Sequence, residues 1–144
     1  MRLSRHVRVD PRLERLLRRA RAARVRLALV TGTSSHEVER FVPDRVRRLF
    51  HAIVTGDRVR HGKPHPEPYR TAFRRLRAAP AAVVVVENAP YGIRSARRAR
   101  AGLIVALASS LPRSALREAD FIVGSTTALA SRLARLLTMT AGRR

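Results

Sequence analysis

The sequence predicts a doubly wound α/β fold with a mostly parallel sheet. Short apolar runs alternate with amphipathic segments along the 144 residues, an alternation that is typical of this class. The strongest run, Val83–Val86, holds four consecutive valines and indicates a strand that is buried on both faces, as in parallel sheets. Small and polar residues such as Thr31-Gly32-Thr33 separate the runs, as expected of connecting loops.

The same patterns predict the individual elements in chain order. Asp10 and Pro11 predict the start of an amphipathic helix that runs to about Arg24, with leucines along one face. Further helices are predicted over 36–41, 44–50, 66–76, 91–100, 114–119 and 127–137. The helix over 66–76 is predicted to face inward with Tyr69, Ala72, Phe73 and Leu76. The predicted strands cover 26–30, 52–55, 82–86, 103–107 and 121–123.

The length fits a single domain, with residues 1–9 as a lead-in, 10–137 as the α/β core and 138–144 as a loose basic tail. The chain has no cysteine, which excludes disulfides and thiolate metal sites. It also lacks an apolar run of about 18 residues and the apolar core of a signal peptide, so we expect a cytoplasmic protein that does not cross a membrane.

The formal net charge of +21 favours non-specific binding of polyanions. The arginines are spread over every helical segment rather than gathered in one arm. Aromatic residues make up only 4% of the chain and tryptophan is absent, so a stacking surface for single strands is not expected. The composition therefore predicts no specific nucleic-acid site.

Lys63 is the only lysine among the 31 Lys and Arg residues, and it lies in the loop Gly62–Tyr69. A compact ammonium suits a phosphoryl oxygen in a space too narrow for a planar guanidinium. Taken alone, the lysine is equally well explained as a chance survival in an arginine-rich sequence. The residues around it must decide between these interpretations.

Three polar groups follow buried strands or their loops, at the edge where α/β sheets bind ligands. The Thr31 hydroxyl and the backbone N–H groups of Gly32 to Ser35 suit a phosphoryl oxygen. Lys63 supplies a cation, and Glu87 and Asn88 supply oxygen ligands of the kind that Mg²⁺ accepts. Each group alone has an ordinary structural explanation, such as a turn, a helix cap or a rigid proline loop. Their occurrence together predicts a phosphate site.

Four segments resemble the haloacid dehalogenase (HAD) superfamily, in the branch of β-phosphoglucomutase and phosphoglycolate-phosphatase-like enzymes. Leu29–Gly32 resembles that family's strand ending in Ser or Thr, and Gly62–Tyr69 resembles its Gly-Lys-Pro-x-Pro-x-x-Tyr/Phe loop. Val84–Ile93 is similar to its apolar strand with an acidic pair and Gly-Ile, and Ala119–Val123 to a later segment. The likeness covers roughly residues 10–135 and implies a HAD-like, Rossmann-like core.

The resemblance implies a phosphatase or phosphomutase that acts on a small phosphorylated metabolite through an aspartyl-phosphate, with Mg²⁺ as cofactor. It implies that Thr31 and Lys63 are catalytic, that Thr31, Gly32 and Lys63 bind the phosphate, and that Glu87 and Asn88 bind the metal. Asn88 departs from the family, in which this position is commonly Asp. The loss of a charge implies weak Mg²⁺ binding.

The family's nucleophile has no counterpart in this chain. It lies in Asp-x-Asp-Gly-Thr after the first central strand, whereas this chain contains no Asp-x-Asp. Asp10 is the only early aspartate, and Pro11 after it predicts a helix start instead. The cap domain that selects the substrate in this family is missing as well. We therefore expect a truncated core that is incomplete or inactive by itself.

In the family, the missing strand lies between the strand that precedes Thr31 and the strand that ends at Glu87. Unpaired buried edges are costly, so either the sheet closes up, or His6–Val9 pair in the gap, or another chain fills it, in a complementary complex or a homo-oligomer. The functional alternatives are a half-enzyme completed by another chain, or a non-catalytic remnant that binds polyanions or proteins.

Overall fold

A computed structural model describes residues 8–141, and this part of the chain forms the predicted α/β fold with parallel strands. The helices are α1 (Pro11–Ala22), α2 (Ser35–Phe41), α3 (Asp44–Arg47), α4 (Glu67–Leu76), α5 (Pro90–Arg98) and α6 (Thr126–Ala141). The strands are β1 (Ala28–Val30), β2 (Ala52–Val54), β3 (Val84–Glu87), β4 (Leu103–Leu107) and β5 (Phe121–Val123). Short 3₁₀ turns lie at 56–58, 80–82 and 113–116.

Within the described residues, the strands form two separate parallel sheets. One pairs β1 with β2, and the other has the order β3-β4-β5. No ladder joins β1 to β3, so the sheet has not closed across the predicted gap. Val9 has no regular structure, and His6 lies outside the described residues. Both β1 and β3 therefore have one edge without a strand partner in the part of the chain that the structure describes.

The prediction that the valine run is buried on both faces is wrong. The strand begins at Val84, and Val84 and Val86 are each 41% exposed, whereas Val85 is 4% exposed. Alternate side chains of a strand point to opposite faces, so one face of β3 is covered and the other is open. The valine pattern predicted two covered faces because strands in complete parallel sheets have them.

Helix α4 connects the two sheets. It packs against β1, β2 and α5. Its predicted inward face is confirmed, since the four residues of that face are all buried: Tyr69, Ala72, Phe73 and Leu76. The first three of these side chains belong to the main core, which extends to Ile93 of α5 and Ile104 of β4. In a smaller cluster, Val105 of β4 and Val123 of β5 pack against Leu129 of α6.

The helix ends follow local chemistry. Asp10 accepts a hydrogen bond from the backbone N–H of Arg12, which caps α1 as predicted. Ser34 and Glu37 form a reciprocal capping box at the start of α2. Helix α6 continues to Ala141, four residues past its predicted end and into the expected loose tail, because its sequence holds no Gly or Pro. None of the described helices is long and apolar enough to span a membrane.

Because only one face of β3 is covered, we expect a valine-to-alanine substitution to lower the free energy of unfolding more on that face than on the other. Val85→Ala should lower the free energy of unfolding by about 2–3 kcal/mol, because it removes fully buried apolar atoms and leaves a cavity. Val86→Ala should cost less than about 1 kcal/mol, because its side chain lies on the open face. Urea unfolding of the two variants measures the difference. Equal losses would show that both faces are covered.

Candidate active site

The side chain of Lys63 lies between the carboxyl ends of β1 and β3. Its Nζ donates hydrogen bonds to the Val30 carbonyl oxygen at 3.2 Å and to Glu87 Oε1 at 2.6 Å. The side chain is only 20% exposed, and the Tyr69 ring centroid lies 5.2 Å from Nζ. Lys63 thus joins the two sheets at the edge where α/β folds bind ligands.

Backbone contacts to α5 hold the loop that carries Lys63. The Ser95 hydroxyl, which is fully buried, donates to the His65 carbonyl oxygen at 2.6 Å. Arg98 donates to the Pro64 carbonyl oxygen at 3.2 Å, and the Lys63–Pro64 peptide bond is cis. These two contacts hold the residues that directly follow Lys63 and so help to position its side chain.

Glu87 is 8% exposed, and both of its carboxylate oxygens accept hydrogen bonds. Oε1 accepts from Lys63 Nζ and from the Tyr69 hydroxyl, and Oε2 accepts from the Asn88 backbone N–H at 3.2 Å. Burial, followed by the charge of Glu87 and its hydrogen bond, raises the pKa of Tyr69 far above its usual value. The phenol therefore keeps its proton and acts as a donor to the carboxylate.

Gly92, in the first turn of α5, makes room for this carboxylate. A Cβ atom at position 92 would lie 2.0 Å from the Glu87 carboxyl carbon, so the carboxylate would have to leave its contacts with Lys63 and Tyr69. The Gly-Ile pair of the motif thus has a direct physical role at Glu87. Gly56 has a similar role on the other sheet, since a Cβ there would lie 2.2 Å from the Gly32 carbonyl oxygen.

The loop after β1 presents one free backbone donor. The Thr31 N–H donates to the Val54 carbonyl oxygen at 2.9 Å, and the Thr33 N–H donates to Thr31 Oγ1 at 3.1 Å. The N–H groups of Ser34 and Ser35 donate to carboxylates. Within the described residues, the N–H of Gly32 alone in this loop has no acceptor. Of the backbone N–H groups predicted to be available to a phosphoryl oxygen, only that of Gly32 is free in the described part of the chain.

Asp57 lies in the short 3₁₀ turn after β2 and is hydrogen-bonded to the start of α2. Its Oδ1 accepts from the backbone N–H of Ser35 at 2.9 Å and from the Ser35 hydroxyl at 3.0 Å. A hydrogen bond from the Thr55 side chain and these two bonds lower the pKa of Asp57 to about 2. Its carboxylate thus holds the loop between Thr31 and α2 in place.

Glu87 and Asn88 supply two kinds of oxygen that Mg²⁺ accepts. The Asn88 side chain is exposed and makes no hydrogen bond within the described residues. Glu87 Oε2 accepts one hydrogen bond and retains a further lone pair. The pair fits Mg²⁺ in ligand chemistry, but its one negative charge is already balanced by Lys63. Further carboxylates are needed for a strong site.

The structure brings Lys63 and Glu87 into direct contact, and places Thr31 and Gly32 immediately after the Val30 carbonyl that Lys63 binds. Sequence reasoning did not identify the contribution of Tyr69, which was placed only on the apolar face of α4. A hydroxyl on that face was the available signal, because a buried tyrosine usually has a hydrogen-bond partner.

The contributions of Lys63 and Glu87 to the free energy of unfolding should depend on each other, because the two side chains form an ion pair. Lys63→Met and Glu87→Gln should each lower the free energy of unfolding by about 3 kcal/mol, since each leaves a partner unpaired in a buried site. The double variant should lose at least about 1 kcal/mol less than the sum. The exposed pair of Arg94 and Glu118 is a matched control, and Arg94→Met should cost less than about 1 kcal/mol.

Chemical denaturation of the four variants measures this cycle. A loss for Lys63→Met no larger than the loss for Arg94→Met would contradict the buried ion pair. Strict additivity of the two single substitutions would contradict it as well.

The chain is similar to known phosphatases. A family model for haloacid dehalogenase-like hydrolases matches residues 2–100. The chain is 34% identical over 103 residues to the phosphorylated carbohydrates phosphatase of Thermotoga maritima, covering 71% of this chain and 48% of that protein. It is 36% identical over 123 residues to the validoxylamine A 7'-phosphate phosphatase of Streptomyces hygroscopicus subsp. limoneus, covering 84% and 56%.

A solved structure supports the same relationship. CbbY from Rhodobacter sphaeroides, in complex with phosphate, superposes with a TM-score of 0.70 at 30% identity, covering 78% of this chain and 52% of that one. The chain thus spans about half the length of the curated relatives that it matches. The family match over most of the chain and the shared fold identify it as a member of the haloacid dehalogenase-like hydrolase family.

Proposed function

We propose that this chain is the phosphate-binding half of a HAD-like phosphatase or phosphomutase that acts on a small phosphorylated metabolite. The position of Lys63 carries the proposal. Its ammonium has three hydrogens, of which Val30 and Glu87 accept two, and the third can donate to a phosphoryl oxygen. The relatives that act on phosphorylated carbohydrates and on validoxylamine A 7'-phosphate support a phosphate ester as substrate.

Thr31 and Gly32 complete the proposed phosphate site. The Gly32 N–H has no acceptor in the described part of the chain, and a backbone donor in a small-residue loop suits an anionic oxygen. The Thr31 hydroxyl can donate to a phosphoryl oxygen while its own oxygen still accepts from the Thr33 N–H. Together with Lys63, these groups offset the negative charge of a transferring phosphoryl group.

Glu87 and Asn88 would hold Mg²⁺ in the proposed complete site. When bound, the metal polarises the phosphoryl oxygens and offsets their charge. Because Glu87 is already paired with Lys63 and Asn88 is neutral, we expect these two residues alone to bind the ion weakly. Carboxylates of the added segment would supply the further negative charges that a strong Mg²⁺ site needs.

The nucleophile is proposed to come from a strand that pairs with β1 and β3. Both strands have an edge without a partner in the described residues, and Lys63 lies at the carboxyl end of the opening between them. An aspartate at the end of a strand in that opening would lie beside the ammonium. The opening has the same geometry for a segment of the same polypeptide and for a segment of a second one.

The experiment is complementation. The chain alone should hydrolyse p-nitrophenyl phosphate at a rate near background, because it lacks a nucleophile. Co-expression with a segment carrying Asp-x-Asp-Gly-Thr from a relative should give hydrolysis that requires Mg²⁺. Lys63→Ala should then lower kcat by about 10²–10³-fold, since it removes a charge from the reacting phosphoryl group.

Arg94→Ala is the matched control for removal of a cation, and the complemented enzyme should keep its rate. A complex that assembles but has no Mg²⁺-dependent activity would contradict the proposal. Rapid hydrolysis by the pure chain that survives Lys63→Ala would contradict it too, and would point to another site.

A second candidate function is polyanion binding without catalysis, and one cleft favours it. The cleft has a volume of about 640 Å³ and is lined by Arg70, Arg74, Arg77 and Arg100. None of these four makes an ion pair with a carboxylate within residues 8–141. Binding through charge alone weakens steeply as the salt concentration rises. The salt dependence of binding therefore distinguishes this cleft from a phosphate site at Lys63.

A further inference from the structure

We propose that His61, His65 and Glu67 form a binding site for a borderline divalent transition metal ion such as Zn²⁺ or Ni²⁺. One ligand atom from each residue lies within 4.8 Å of the other two. Imidazole nitrogens and a carboxylate oxygen are the ligands that these ions prefer. None of the three residues belongs to the proposed phosphate site, and His65 and Glu67 also line the arginine cleft described above.

Two of the ligand atoms already have the spacing of a coordinated pair. His61 Nδ1 and Glu67 Oε2 are 3.0 Å apart and share a hydrogen bond. Two ligands about 2.1 Å from one ion, at an angle between 90° and the tetrahedral value, are about 3.0–3.4 Å apart. An ion between these atoms would take the place of the shared hydrogen without a large movement of either side chain.

The loop holds the third ligand close to this pair. The rings of His61 and His65 are in contact, with their centroids 4.7 Å apart and their planes tilted by 30°. The His65 carbonyl oxygen is fixed by the buried hydroxyl of Ser95 at 2.6 Å. His65 Nδ1 now accepts from the Glu67 backbone N–H at 3.1 Å. Coordination of a metal by His65 Nδ1 would replace this exposed hydrogen bond. The Glu67 N–H, in the first turn of α4, would then donate to water.

Glu67 is held in position by the backbone. Its Oε1 accepts from the Arg60 N–H at 2.9 Å, and its Oε2 accepts from the His61 N–H at 3.0 Å. These bonds fix the carboxylate before any metal arrives, so little side-chain freedom is lost on binding. Three protein ligands leave a fourth tetrahedral position for water, and the exposure of both histidines gives the ion an open path.

The test is a titration of the untagged, chelator-treated full chain with Zn²⁺ and separately with Ni²⁺, followed by calorimetry and by competition with a chromophoric chelator. We expect one ion per chain with a dissociation constant in the micromolar range. His61→Ala and His65→Ala should each weaken binding at least 10-fold. Saturating metal should raise the Tm of the wild type but not of the double variant, because binding to the folded state alone stabilises it.

His36→Ala is the matched control, because His36 is exposed in α2 and lies outside the cluster. Its affinity for the metal should equal that of the wild type. Co²⁺ provides a second measurement, since a site with two imidazole ligands should give visible absorption bands that the double variant lacks. Binding that the His61→Ala and His65→Ala double variant retains at full affinity would overturn the proposal. An absence of binding at 1 mM metal, on the order of the weakest specific metal sites, would overturn it as well.

Discussion

The buried ion pair of Lys63 and Glu87 is the interaction on which the site depends. A carboxylate this deeply buried is stable only when its charge is balanced and its oxygens are hydrogen-bonded. Lys63 balances the charge, and the Tyr69 hydroxyl and the Asn88 N–H satisfy the remaining lone pairs that face the protein. Because the same ammonium also binds the Val30 carbonyl, one side chain sets the relative positions of two strand ends that no ladder joins.

Most of the fold followed from local patterns. The inward face of α4 was predicted from its helical spacing, and the convergence of Lys63 and Glu87 followed from the rule that polar groups at strand ends meet at one edge. The errors came from tertiary partners that a sequence pattern does not show. Val84 and Val86 are exposed because nothing in the described chain covers that face of β3. The sequence predicted several free backbone N–H groups after β1, and only that of Gly32 is free in the described residues. The others have acceptors, and one of these, Asp57, is distant in sequence.

In the described residues β1 and β3 each have an edge without a strand partner, and the proposed completion by another segment rests on these two edges. Each strand offers a row of backbone groups to a partner, and such edges also favour association with other strands. The groups that would serve a phosphate are nevertheless arranged around Lys63 in this chain alone. In the proposed function, the phosphate-binding groups and the nucleophile would therefore lie on separate segments.

The phosphate site at Lys63 can be tested by titrating the ¹⁵N-labelled chain with inorganic phosphate and following the amide signals by NMR. We expect a saturable shift of the Gly32 amide signal at moderate salt. The apparent affinity should fall at least 10-fold in a Lys63→Met variant whose spectrum remains dispersed. Shifts confined to the arginines of the cleft, with no change at Gly32, would contradict the phosphate site and favour binding of polyanions through charge.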